Sequence, residues 1–181
     1  MAFKSEIENP KSQSGGGRIL GVDTSLRSTG LGLIEVHGSR LEALEHGLVK
    51  NPAAWPLSRC LKNLQAAIGA ILERGRPGTV AIEGVFFCKN VSTAVILGEA
   101  RGVVIAACAA AGVPVYEYSP RRVKQAVVGF GAAGKEQVGR MVTLLLSLRE
   151  PLPEDAADAF AIAICHAHAG RYGALAGVKE I

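Results

Sequence analysis

The chain has 181 residues and a formal net charge of +4, with 20 Lys and Arg against 16 Asp and Glu, and its hydrophobic fraction of 49% is ample for a core. That length suits one domain rather than two, the mild basic excess suits a polyanionic partner, and no apolar stretch reads as long and pure enough to cross a bilayer. The N-terminus, with Lys4, Glu6 and Glu8 and no apolar block, does not read as a secretory signal, and Cys60, Cys88, Cys108 and Cys165 form no C-x-x-C pair, which points to reduced thiols in the cytoplasm and away from structural zinc.

Residues 1–17 are polar and end in three glycines, the composition of a disordered tail. Ile19 to Asp23 is an apolar run ending in a carboxylate, the pattern of a strand buried on both faces. A second run from Gly30 to His37 turns at Gly38-Ser39 into a third, Arg40 to Val49, giving an antiparallel meander. Leu57, Leu61, Leu64, Ile68 and Ile71 recur at helical spacing, and Gly75, Pro77 and Gly78 stop that helix. Thr79 to Glu83 is another short buried strand ending in a carboxylate. Ser92 to Ala111, rich in Ala, Val and Ile, reads as a long and largely buried helix. Val113 to Tyr118 is the next strand, and Ser119-Pro120 is a helix start, with Ser as N-cap and Pro at the first helical position. A glycine-rich loop, 129–134, precedes an amphipathic helix from Lys135 to Leu146. The last helix runs from Glu154 to Ala169, and 171–181 reads as a flexible C-terminal tail. The expectation is an α/β domain over 18–170: one mixed sheet flanked by helices.

Four carboxylates stand out. Asp23 and Glu83 end apolar strands; Asp155 and Asp158 sit three apart at the start of an apolar helix and so share a face. Each has an ordinary explanation taken singly: an Asx-turn at Asp23, a solvated strand end at Glu83, and helix-dipole capping at Asp155 and Asp158. Delivered together by three apolar elements they favour a metal site, because grouped, dehydrated acids need compensation. Hard divalent cations supply it, and two ions roughly 3.5–4 Å apart clamp an in-line phosphoryl displacement. Arg121, Arg122, Lys124, Lys135 and Arg140 gather positive charge in the same half of the chain, consistent with a rim that guides nucleic acid.

Five segments, in order, resemble the RuvC-type Holliday junction resolvases: Gly21-Val-Asp23-Thr-Ser-Leu-Arg-Ser-Thr-Gly30, Ala81-Ile-Glu83-Gly-Val-Phe86-Phe-Cys-Lys89-Asn90, Gly98-Glu-Ala-Arg101-Gly102, Val123-Lys-Gln-Ala-Val-Val-Gly129 and Asp155-Ala-Ala-Asp158-Ala. The resemblance implies a ribonuclease H-like fold with a five-stranded sheet. It also implies a homodimer that resolves four-way DNA junctions by paired symmetric nicks, in DNA recombination and repair, beside a branch-migration helicase. It further implies dependence on Mg²⁺, two ions per site, with Mn²⁺ able to substitute. By the same carry-over Asp23, Glu83, Asp155 and Asp158 are the catalytic metal ligands. Phe86 stacks on an unpaired base near the junction centre, and Lys89, Arg121, Lys124 and Lys135 contact DNA. The small-residue helix with Gly98 and Gly102 is the expected dimer surface. Thr24 and Ser25 depart from the family, where Pro and sometimes Gly follow the first Asp, and Gly84 stands where a larger polar residue can occur.

Other readings bear weighing. Gly129-Phe-Gly131-Ala-Ala-Gly134 matches a dinucleotide fingerprint, but that motif needs a strand directly before it, and the near-match to a P-loop fails at Glu136. Cys165, His166 and His168 suggest zinc, yet residues two apart on a helix do not share a face. Actin-like ATPases open with a similar strand and acid but need a second lobe. A non-catalytic junction-binding module and a nuclease of structured RNA are the remaining alternatives.

Overall fold

The structure is a computed structural model and describes residues 17–84, 90–171, 178 and 180–181. Its strands are β1 (Arg18–Asp23), β2 (Ser28–His37), β3 (Arg40–Lys50), β4 (Thr79–Glu83) and β5 (Val115–Tyr118). Its helices are α1 (Leu57–Gly75), α2 (Val91–Ala110), α3 (Pro120–Val128), α4 (Lys135–Leu145) and α5 (Glu154–Arg171). The five strands form one mixed sheet in the order β3-β2-β1-β4-β5. β1, β2 and β3 are the antiparallel meander, and β4 and β5 run parallel to β1.

Strand alternation divides the core in two. Leu20 and Val22 of β1 and Val80 and Ile82 of β4 pack with α1 and α2. Ile19 and Ala81 face the opposite layer, where α3, α4 and α5 lie. Of the stripe read in α1, Leu64, Ile68 and Ile71 are buried and Leu61 is half-buried, while Leu57 in the first turn is exposed and Cys60 takes the buried place there; the chain leaves the helix through Arg76 in the left-handed region (φ 44°). Ser119 caps α3 as expected, its Oγ accepting from the Arg122 N–H at 3.2 Å.

Two differences from the sequence reading have physical causes. α2 is not largely buried: Ala100, Val104 and Cys108 form a narrow inward stripe, while Val91 and Val95 are 78% and 55% exposed. It is also long and apolar enough to cross a membrane, judged by length and composition alone. Apolar composition marked the helix but not how much of it the sheet covers. Glu180, placed by sequence in the terminal tail, forms an isolated antiparallel bridge with Tyr116 on the edge strand β5, and the Ile181 N–H donates to the Val115 carbonyl at 3.0 Å.

α5 runs across β1 and β2 at unusually close range. A Cβ at Gly21 would stand 1.9 Å from the carbonyl oxygen of Ala159, and one at Gly30 would stand 1.9 Å from that of Asp155. Only glycine at these positions lets the helix backbone approach the sheet so closely. This seating fixes the height of the first turn of α5, and hence of its acids, above the ends of β1 and β2.

Candidate active site

Register places Asp23 and Glu83 together. The last parallel pair between β1 and β4 is Val22 with Ile82, so the next residue on each strand is the carboxylate. By alternation both side chains project to the α5 face, opposite Val22 and Ile82. There Asp23, Glu83 and Asp158 line a single opening of about 240 Å³, with Lys124 from α3 and Lys135 from α4 on its wall.

The electrostatics follow from that placement. Burial pushes the Asp23 carboxyl up to about 7, and the charges of Asp158, Glu83 and Asp155 add to the rise while Lys135 opposes it. Glu83 is raised by burial and then by Asp158, against Lys124 and Lys135. Asp158 is raised by burial, against its charge and hydrogen-bond contact with Lys135. The acids are therefore close enough to repel one another and dry enough to feel it. Two of the four are turned toward other partners: Asp155 accepts a hydrogen bond from Ser28 Oγ, and Asp158 Oδ2 accepts from Lys135 Nζ at 3.4 Å. Among the described residues no three Asp, Glu, His or Cys side chains converge tightly enough to hold a metal as they stand. The donor set itself, all carboxylate oxygen, suits a hard divalent cation.

The remaining sequence candidates divide. Lys124 and Lys135 face the acids. Arg121 is exposed instead, its side chain packed beside Gly131 in the 129–134 loop. Phe86 and Lys89 lie outside the described residues. The glycine-rich loop joins α3 to α4 with no strand before it, so the dinucleotide reading fails on topology. His166 bonds Tyr118 Oη at 2.7 Å and His168 bonds the Ala126 carbonyl at 2.9 Å, so the two histidines have separate partners. Sequence reading gave no role to Ser28, which reaches Asp155 across 127 residues of chain. Nor did it give one to Arg101, whose signal was only its place within the Gly98-to-Gly102 motif.

A mixed five-stranded sheet in this order, with helices on both faces and acids at the ends of adjacent central strands, is a ribonuclease H-like fold. The yeast mitochondrial Holliday junction resolvase Ydc2 shares it, with a TM-score of 0.63 at 12% identity over 90% of this chain and 84% of that one. More specifically, the chain belongs to the family described as crossover junction endodeoxyribonuclease RuvC, whose profile matches residues 19–166. The RuvC of Heliobacterium modesticaldum is 49% identical over 86% of this chain and 96% of its own length, and that of Rubrobacter xylanophilus is 46% identical over 90% and 91%. Thermus thermophilus RuvC, solved in complex with a Holliday junction substrate, superposes with a TM-score of 0.85 at 37% identity, covering 91% of this chain and 99% of that chain. The protein is thus an endonuclease that hydrolyses DNA phosphodiester bonds and resolves four-way junctions.

Proposed function

We propose that the opening between β1, β4 and α5 is where junction strands are cut, with Asp23, Glu83, Asp155 and Asp158 as the acids that hold divalent cations. The observation that carries this reading is the meeting of Asp23, Glu83 and Asp158 around one cavity, with Lys124 and Lys135 on its wall. When bound, a pair of Mg²⁺ or Mn²⁺ ions supplies a more acidic water and stabilises the leaving oxygen. The protein's own groups do the rest. Asp23 and Glu83, fixed on adjacent strand ends, set the separation of the donors. Ser28 holds Asp155 in one rotamer. Lys124 and Lys135 draw the scissile phosphate toward an otherwise repulsive acidic floor. A larger groove of about 780 Å³ between α4 and the start of α5 opens on Lys135 and Asp158 and gives a bound strand a path away from the site.

The protein works as a homodimer in this reading. α2 presents Val91, Val95, Gly98 and Gly102 to solvent, an apolar face with glycines that admit close approach of a second helix. A two-fold dimer matches the approximate two-fold symmetry of a four-way junction and offers two sites to two equivalent strands. Phe86 and Lys89 are retained as DNA contacts, with a branch-migration helicase as partner and the cytoplasm as location.

The test is a nicking assay on a synthetic mobile four-way junction with Mg²⁺, Ca²⁺ or chelator, using wild-type protein and Asp23→Asn. We expect paired nicks in wild type with Mg²⁺, binding without cutting in Ca²⁺, and binding without cutting by Asp23→Asn in any metal. Normal cutting by Asp23→Asn would overturn the assignment.

A further inference from the structure

We infer that Arg101 is a positioning residue for the site: it fixes the end of β4, and with it Glu83, from the side of the sheet opposite the acids. The inference rests on the reading of Glu83 as a cation ligand given above. Arg101 lies on α2, its side chain only 13% exposed. Its Nη1 donates to the main-chain carbonyl of Glu83 at 2.6 Å, and its Nη2 is paired with the Glu117 carboxylate of β5.

The location explains why a clamp is needed. The ladder between β1 and β4 ends at Val22 and Ile82. Glu83 is one residue beyond it and is followed by Gly84, a residue with no side chain to anchor it. On the β5 side the Gly84 N–H donates to the Tyr118 carbonyl at 2.8 Å. The Glu83 carbonyl is taken by the guanidinium, whose rigid planar fork holds a carbonyl and a carboxylate at once in a fixed geometry that a lysine's single ammonium does not impose. Arg101 also borders a small cavity of about 60 Å³ with Asp23, Thr24, Glu83 and Gly84. The Thr24 hydroxyl is buried and without a partner among the described residues. β5 holds this end of β4 from one edge, through the Glu83–Tyr118 pair and the Gly84 N–H; on the β1 edge, where the ladder stops at Ile82, Arg101 is the group that takes the Glu83 carbonyl. Because Arg101 stands on the helix whose outer face is the proposed dimer surface, it also ties the position of Glu83 to that helix.

Three variants test this: Arg101→Gln, Arg101→Lys and Glu117→Gln, with Glu83→Gln beside them. Mn²⁺ binding to the DNA-free protein is followed by the loss of the free-ion paramagnetic resonance signal. Junction nicking is followed separately across a Mn²⁺ titration, and thermal unfolding in chelator controls for folding. Partners that orient metal ligands typically change metal affinity by ~10–100-fold when removed. We expect Arg101→Gln to weaken Mn²⁺ binding by at least about tenfold, with nicking recovered in part at high Mn²⁺ and junction binding unchanged. Glu117→Gln weakens Mn²⁺ binding less, because the bond to the Glu83 carbonyl survives, and Arg101→Lys restores part of what Arg101→Gln loses. Mn²⁺ affinity in folded Arg101→Gln equal to wild type overturns the inference, as does a loss that tracks unfolding alone. If Glu83→Gln cuts normally, the cation-ligand reading itself fails. If Glu83→Gln is inactive while Arg101→Gln and Glu117→Gln bind Mn²⁺ like wild type, only the role of Arg101 fails.

Discussion

Lys135 Nζ lies 3.4 Å from Asp158 Oδ2, and the same ammonium is 2.6 Å from Glu154 Oε1. The first helical residue of α4 thus reaches the first turn of α5 and supplies positive charge to an acid that burial alone would push toward its neutral form. Removing that charge raises the proton affinity of Asp158 further. Lys135→Ala is therefore predicted to shift the acid limb of the nicking rate to higher pH and to cut the rate at neutral pH by about tenfold, equivalent to about 1.4 kcal/mol of barrier. A pH–rate profile of nicking checks it; an unchanged acid limb would remove Lys135 from the site.

Metal-free stability should carry the signature of the crowded acids. The Asp23 carboxyl is raised from 3.8 to about 7, first by burial and then by Asp158, Glu83 and Asp155. A folded-state pKa above the unfolded one means that the folded chain holds the proton more tightly. The resulting stabilisation is full below about 4 and is lost as pH rises through about 7. Asp23→Asn is expected to abolish that loss, leaving the chelated variant about 4 kcal/mol more stable than wild type above neutrality and no different near pH 4. Thermal unfolding in chelator at several pH values measures this directly. Mg²⁺ should stabilise wild type above neutrality and Asp23→Asn much less.

Close approach of α5 to the sheet gives a steric prediction. Gly30→Ala places a methyl group 1.9 Å from the Asp155 carbonyl oxygen, so the helix start must lift. We expect a loss of about 1–3 kcal/mol and nicking that falls further than folded fraction alone explains, since Asp155 and Asp158 move with the helix. Gly47→Ala, where an added Cβ meets nothing, should change stability by less than about 0.5 kcal/mol. Denaturant unfolding and nicking on both variants separate the two effects.

Legibility in the sequence varied with the kind of signal. β4 was readable because Thr79 to Glu83 is apolar, short and bounded by Pro77-Gly78 on one side and a carboxylate followed by Gly84 on the other. The pairing of Asp23 with Glu83 followed from two buried strands with acidic ends, although only register shows that they are neighbours. α2 was misjudged because a run of alanine and valine does not say how many faces of the helix the rest of the chain covers. Beyond their place in the resembling segments, Ser28 and Arg101 carried no signal of their contacts: a hydroxyl meeting an acid across most of the chain, or a guanidinium reaching a main-chain carbonyl, has no periodicity in sequence. They emerge only when tertiary packing brings α2 and α5 to the strand ends.

The exposed face of α2 has its own test. Val95→Glu puts a charge into the proposed contact while leaving the inward stripe of Ala100, Val104 and Cys108 intact. Light scattering is expected to show a dimer for wild type and a folded monomer for the variant, with paired nicking lost. A variant that remains dimeric would place the interface elsewhere.

The central claim is that acids from three separate elements converge on shared cations. Diffraction from Mn²⁺-soaked crystals, with anomalous difference maps, tests it most directly. The account predicts strong peaks in the opening between β1, β4 and α5, about 2.1 Å from carboxylate oxygens of Asp23, Glu83 and Asp158, with these side chains drawn together. Well-ordered crystals with no peak in that opening, or with Mn²⁺ held only at other acids, would contradict it.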